Sequence, residues 1–252
     1  MPLAFFSKQP ARPDDGLDIE LDGEPHQVKL SRNNRARRYI LRVDAARRSI
    51  VLTMPVRGSM REAHRFVTRH ENWLRSQLAR LPEAIPFAHG AVIPFRGTPH
   101  MIRHDGTGRR AVRILEHDLD AMPEISITCG PAHLPRRMTD WLKKQARENL
   151  TERVAAHATA LDVRPGKMSL RDPRSRWGSC AENGALSFSW RLIMAPAHVL
   201  DYVAAHEIAH LREMNHSPDF WALVDQTCPD AARAKSWLKA HGRNLHGIGV
   251  KT

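Results

Sequence analysis

Cysteine is scarce in this chain: three residues in 252, far apart at Cys129, Cys180 and Cys228. An odd, scattered set excludes a disulfide scaffold and a four-cysteine zinc module, and it fits a cytoplasmic protein with reduced thiols. Aromatic residues make up only 6%, with two tyrosines. No run approaches the ~20 consecutive apolar residues of a membrane span, so no membrane partner is expected. The opening MPLAFFSKQPARPDD has one short apolar run and no leading basic residue, and does not read as a signal peptide. Acidic residues are outnumbered, 27 against 39 Lys plus Arg, giving a net charge of +12. That excess attracts polyanions and permits non-specific nucleic-acid contact. Yet the densest basic stretch (Arg32, Arg35, Arg37, Arg38, Arg42, Arg47, Arg48) interleaves no aromatic but Tyr39 and carries no nucleic-acid-binding signature. A solvated basic surface is the plainer reading.

With 42% hydrophobic residues the chain can fill a core. Residues 1–16, with Pro10, Pro13 and Gly16, read as a loose tail. Residues 17–130 read as β-rich with one helix. Alternating segments LDIELD, HQVKLS, RYILRVD and SIVLTMP precede a helical stripe from Ser59 to Leu81 (Ala63, Phe66, Val67, Trp73, Leu74, Leu78), and VIPFRG, TPHMIRHD, AVRILEH and EISITCG follow. Residues 131–252 read as helix-rich. A long helix over 134–161 leads to strands KMSLRD and ALSFSWRLIM around a loop PRSRWGSC, then a helix from Pro196 to about Arg212, one opened by Ser217-Pro218, and one capped by Asp230. No internal repeat is visible. The fold class is α+β.

One segment carries chemistry: Tyr202-Val-Ala-Ala-His206-Glu207-Ile-Ala-His210-Leu-Arg-Glu-Met-Asn-His216. Residues four apart on a helix share a face, so His206 and His210 can bind one zinc ion, with Glu207 as general base toward a zinc-bound water. Fifteen histidines make a chance pair at this spacing ordinary, and His100 and His104 form one in a strand-like segment. Adding the Glu and a third His ten residues on lowers the chance expectation to about 0.003. A catalytic zinc needs three protein ligands and an open position. His216 is the preferred third, since imidazole is a favoured zinc donor; Asp225 on the next helix stays open. Glu213 lies about 10 Å from His206 along the axis, too far to ligate. The spacing equals that of the metzincin signature, but Glu213 stands where that signature has Gly. The turn is therefore expected at Met214-Asn215, with Asn left-handed.

RWGSC (176–180), ALSFSWRLIMAP (185–196) and YVAAHEIAHLREMNHSPDFWALV (202–224) resemble the YgjP-like metallopeptidase family, related to the SprT-like and WLM zinc-dependent proteases. The likeness extends over roughly residues 25–242. It implies a zincin-type core and a metal-dependent hydrolase, with His206, His210 and His216 as zinc ligands and Glu207 as the catalytic residue.

Cys180 reads as a small buried thiol in a tight turn at Gly178. Arg176 reads as a cleft guanidinium for a substrate carbonyl or carboxylate, or as half of an ion pair. Trp177, Trp190, Trp221, Trp237 and Tyr202 read as packing. The expected activity is that of a one-zinc peptidase acting on an extended peptide or protein substrate. The alternatives are a zinc amidase on a non-peptide or nucleic-acid-associated substrate, and a non-catalytic basic adaptor. An intact Glu207 argues against the adaptor. Residues 186–191 read as a strand bordering the cleft whose edge pairs with substrate, presenting Ser187, Ser189 and Arg191 on one face.

Overall fold

The computed structural model describes residues 16–44, 48–108, 111–116, 121–173 and 175–250. They divide into two compact units, one up to Leu81 and one from Pro82 onward. The expected tail, Gly16 apart, lies outside the described residues, as does Arg47.

Alternating side chains build the first unit. Strands β1 (Gly16–Leu21), β2 (Glu24–Asn33), β3 (Ile40–Asp44) and β4 (Ser49–Pro55) form one sheet in the order β1-β2-β4-β3. The β1–β2 hairpin turns on Asp22 and Gly23, whose positive φ values of 56° and 82° supply the left-handed pair of a tight hairpin. Ile50, Leu52 and Met54 of β4 are buried against Ala63 and Val67 of α1 (Met60–Arg69) and Leu74 of α2 (Glu71–Ala79). The expected single helix is two. It starts as expected, with the Ser59 hydroxyl accepting the Glu62 N–H. It breaks at His70, where φ −107° and ψ 15° leave helical geometry and Nδ1 donates to the Phe66 carbonyl. Trp73, expected on the buried stripe, is consequently 40% exposed. Arg32, in the basic stretch, donates to the carbonyls of Val56 and Gly58.

The second unit opens on a sheet of the same topology. β5 (Val92–Phe95), β6 (Thr98–His104), β7 (Ala111–Leu115) and β8 (Glu124–Thr128) run β5-β6-β8-β7, again hairpin, parallel pair, antiparallel pair. The turn residues Arg96 and Gly97 are again both at positive φ. No sequence repeat announces this, because turns and alternation define the arrangement while residue identities drift. Ile93, Phe95, Ile102, Ile125 and Ile127 share one core with Met138, Leu142 and Ala146 of α3 (Leu134–Ala160) and with α4 (Ala197–Ala209). The division expected at residue 130 therefore cuts through a continuous core; the units part after Leu81.

A three-stranded sheet follows: β9 (Met168–Arg171), β10 (Gly178–Cys180) and β11 (Leu186–Ser189), in the order β10-β11-β9. The segment expected as one strand to Met194 stops at Ser189, whose hydroxyl accepts the Arg191 N–H and starts a 3-10 turn over Trp190–Met194. Helices α5 (Pro218–Thr227) and α6 (Ala231–His241) complete the unit. The fold is α+β, and among the described residues no helix is long and apolar enough to cross a membrane.

Arg191, expected on a cleft-facing strand, is only 4% exposed. It ion-pairs with Asp172 at 2.7 Å and donates to the carbonyls of Leu245 and Ile248, tying the C-terminal turn to the core. Arg191→Met leaves those acceptors unpaired and is expected to cost about 3 kcal/mol. A urea midpoint unchanged from wild type would show that the strap holds without it.

Candidate metal centre

Helix α4 is apolar on nearly every side, with Val199, Val203, Ala204, Ala205, Ile208 and Ala209 buried. It runs against α3, α5, α6 and β10. It ends earlier than expected, at Ala209, with His210 as the cap residue. The Glu213 N–H returns to the Ala209 carbonyl and Leu211 to Ile208, so the chain reverses within one turn. Among the described residues none from 211 to 216 has positive φ, so the reversal does not use the left-handed Asn215 expected from the sequence. The Glu213 carboxylate accepts the Asn215 N–H instead. Ser217 then caps α5 through the Phe220 N–H, as the Ser-Pro pair foretold.

This reversal carries His216 back over the helix. One ring nitrogen from each of His206, His210 and His216 lies within 4.8 Å of the others. His206 Nε2 and His216 Nε2 face each other at 3.1 Å. The His210 Nδ1 donates to the Glu213 carbonyl at 3.1 Å, which leaves its Nε2 carrying the lone pair. The buried ring of Phe220 packs against all three imidazoles, at centroid distances of 4.9, 4.5 and 4.7 Å. Burial, then the neighbouring His210 and His216, pushes His206 down to about 4, and burial lowers His210 too. Both rings are therefore neutral at physiological pH, the form a metal requires. Three converging imidazoles suit zinc. Asp225 is exposed on α5 and does not join the cluster. The decoy pair is otherwise engaged, His100 with the Thr98 carbonyl and His104 with that of Cys129.

Glu207 is 5% exposed and lies against β10. The Cys180 backbone N–H donates to its carboxylate, and the Arg176 charge acts on it, yet burial dominates and raises it to about 7. It fits because position 178 lacks a side chain. A Cβ on Gly178 would lie 2.4 Å from Glu207 Oε1 and 2.7 Å from its Cγ. A cleft of roughly 210 Å³ opens here, with Arg176, Trp177 and Gly178 on one wall, Tyr202, His206 and Glu207 on α4, and Leu238 of α6 opposite.

A family model for the YgjP-like metallopeptidase domain matches residues 37–241. The chain belongs to the YgjP-like metallopeptidase family. Among solved structures, the crystal structure of the metallopeptidase zymogen of Pyrococcus abyssi abylysin matches at 20% identity and a TM-score of 0.34, over 38% of this chain and 97% of that one. No curated protein matches.

In this YgjP-like chain several expected roles change place. Strand β11 is interior, paired with β10 on one side and β9 on the other, so it offers no edge. Ser189 is fully buried, and Ser187 sits opposite Ser179 and Ser169 within the sheet. Neither lines the cleft. The edges of this sheet are β9 and β10, and it is β10, expected as loop, that brings Gly178 to the cleft. Trp177 and Tyr202, read as packing, border the cleft, and burial pushes the Tyr202 phenol up to about 12, so it stays protonated. The Cys180 thiol is raised, first by burial and then by the Glu207 charge, which makes it a poor nucleophile. Sequence reasoning passed over Gly178 as a partner of Glu207, and over Phe220 and Lys235. Only Phe220 left a trace, as an apolar residue one turn after the Ser217 cap.

Proposed function

We propose that the chain hydrolyses peptide bonds with one zinc ion held by His206, His210 and His216. The observation that carries this is the buried Glu207 carboxylate immediately beside three converging imidazoles. An ion bound there supplies Lewis acidity, polarising a carbonyl oxygen and acidifying a water. Glu207, raised toward neutrality, takes a proton from the attacking water and returns it to the leaving amine. The Cys180 N–H orients its carboxylate. The Tyr202 phenol remains a donor at the cleft wall, and Trp177 and Leu238 exclude bulk water.

The substrate backbone runs along β10. Ser189 donates to the Trp177 carbonyl and Ala181 to that of Ala185, so with Ser179 opposite Ser187 the backbone groups of Gly178 and Cys180 point away from β11. The Cys180 N–H is taken by Glu207, which leaves the Gly178 groups and the Cys180 carbonyl for a substrate. An extended, locally unfolded peptide can add there, with affinity from the backbone rather than from sequence.

Metal analysis of purified protein, paired with proteolysis profiling, tests the reading. Wild type should hold about one zinc per chain and cleave unfolded protein. His206→Ala and His210→Ala should hold none, His216→Ala should lose most, and Asp225→Ala should keep it. Full zinc in His206→Ala overturns the ligand set; zinc-loaded wild type that cleaves no peptide overturns the peptidase reading in favour of another hydrolase.

A further inference from the structure

Two cations stand in or beside this cleft without a salt bridge. Arg176 lines one wall and acts on Glu207. On α6, Lys235 precedes the cleft residue Leu238 by three positions and so shares its face. The Lys235 ammonium sits 3.3 Å from the centroid of the Trp221 ring, and that ring lies 5.8 Å from both His206 and His216. The aromatic face holds the charge beside the histidine cluster without neutralising it. Among the described residues neither cation makes an ion pair, whereas Arg75, Arg103, Arg153 and Arg191 all do. Unpaired cations beside a reacting centre raise the local concentration of anions and donate charge-assisted hydrogen bonds to them.

We propose that the site selects peptides carrying a carboxylate next to the scissile bond, received by Lys235 on one flank and by Arg176 on the other. This rests on the peptidase reading above. The carboxylate is either an acidic side chain or the free α-carboxylate of a chain end, and the same two cations suit both. Lys235 and Arg176 are specificity residues here, because they touch the substrate beside the reacting bond and leave the proton transfers to Glu207.

The test uses the zinc-loaded full chain and quenched-fluorescence peptides of one core sequence, bearing Glu, Gln or Lys at each flanking position, with free or amidated C-termini. Glu peptides should exceed their Gln counterparts by about tenfold in kcat/KM, mostly through KM, and the advantage should shrink in high salt. Lys235→Met keeps an adaptable side chain on Trp221 and should abolish the preference at one flank. Arg176→Gln should abolish it at the other, and Lys235→Glu should turn it toward Lys peptides. Binding to the Glu207→Gln protein, followed by fluorescence anisotropy, should rank the peptides identically. Preference retained by amidated peptides assigns the acidic side chain, and preference confined to free ends assigns the α-carboxylate; either sustains the proposal. Cleavage with equal kcat/KM for Glu and Gln peptides overturns it, as does a preference untouched in Lys235→Glu and Arg176→Gln. No cleavage of any peptide overturns the peptidase reading itself.

Discussion

Glu207→Gln should keep its zinc and lose turnover by about 10²- to 10⁴-fold, the range a positioned general base contributes. The amide is nearly isosteric and still reaches the Cys180 N–H, so the fold and the three imidazoles stay in place. A second effect separates this variant from a merely damaged one. Burial raises Glu207 from an ordinary 4.5 to about 7. In metal-free protein the folded state therefore binds this proton more tightly than the unfolded chain. The associated stability is full below about pH 4.5 and lost as pH rises through 7, on the order of 3 kcal/mol. His206 runs oppositely: lowered from 6.5 to about 4, it favours the fold above pH 6.5 and loses that contribution as pH falls toward 4. The two slopes oppose each other between these limits. The Gln variant removes only the first. Metal-free Glu207→Gln should thus be more stable than metal-free wild type at pH 7, and the lead should vanish near pH 4.5. Urea midpoints in the presence of a chelator measure it. Identical midpoints at pH 7 would mean that Glu207 is not desolvated, and unchanged turnover would remove it from the reaction.

Gly178→Ala should be nearly as damaging to activity while touching no ligand. The added methyl would sit 2.4 Å from Oε1, 2.7 Å from Cγ and 2.8 Å from Cδ of Glu207. Gly178 has no positive φ, so the strand accepts alanine and the unfolded chain loses entropy, which favours the fold slightly. The carboxylate is what must move. Turnover should fall about 10²-fold, with zinc content and thermal midpoint close to wild type. Combined with Glu207→Gln, the substitution should add almost nothing, because both act on one group. Activity within twofold of wild type, or full additivity in the double variant, would break the link between Gly178 and the base.

Local rules made much of this legible. Alternation in SIVLTMP marks Ile50, Leu52 and Met54 as buried because a strand repeats every two residues. The spacing of His206 and His210 puts them side by side because a helix repeats every 3.6. The Ser59 and Ser217 caps could be read because capping is a contact across three residues. Where a rule ran further than its evidence it failed. The stripe through Trp73 assumed an unbroken helix past His70, and the strand through Arg191 assumed extended backbone past Ser189.

The sequence alone determined the fold class, the family and the histidine–glutamate pattern, since each depends on neighbours in the chain. Tertiary structure decided the rest. It set the unit boundary at Leu81, because a shared core is a matter of which surfaces meet. It made β11 interior and β10 an edge, because strand order is a long-range choice among pairings of similar local energy. It gave Gly178 its meaning, since the carboxylate that needs the missing methyl lies 29 residues away in sequence. It brought Lys235 to the histidines through the ring of Trp221 on a different helix. Contacts of that kind leave no periodicity to read, because they are made by elements that become neighbours only when the chain is folded.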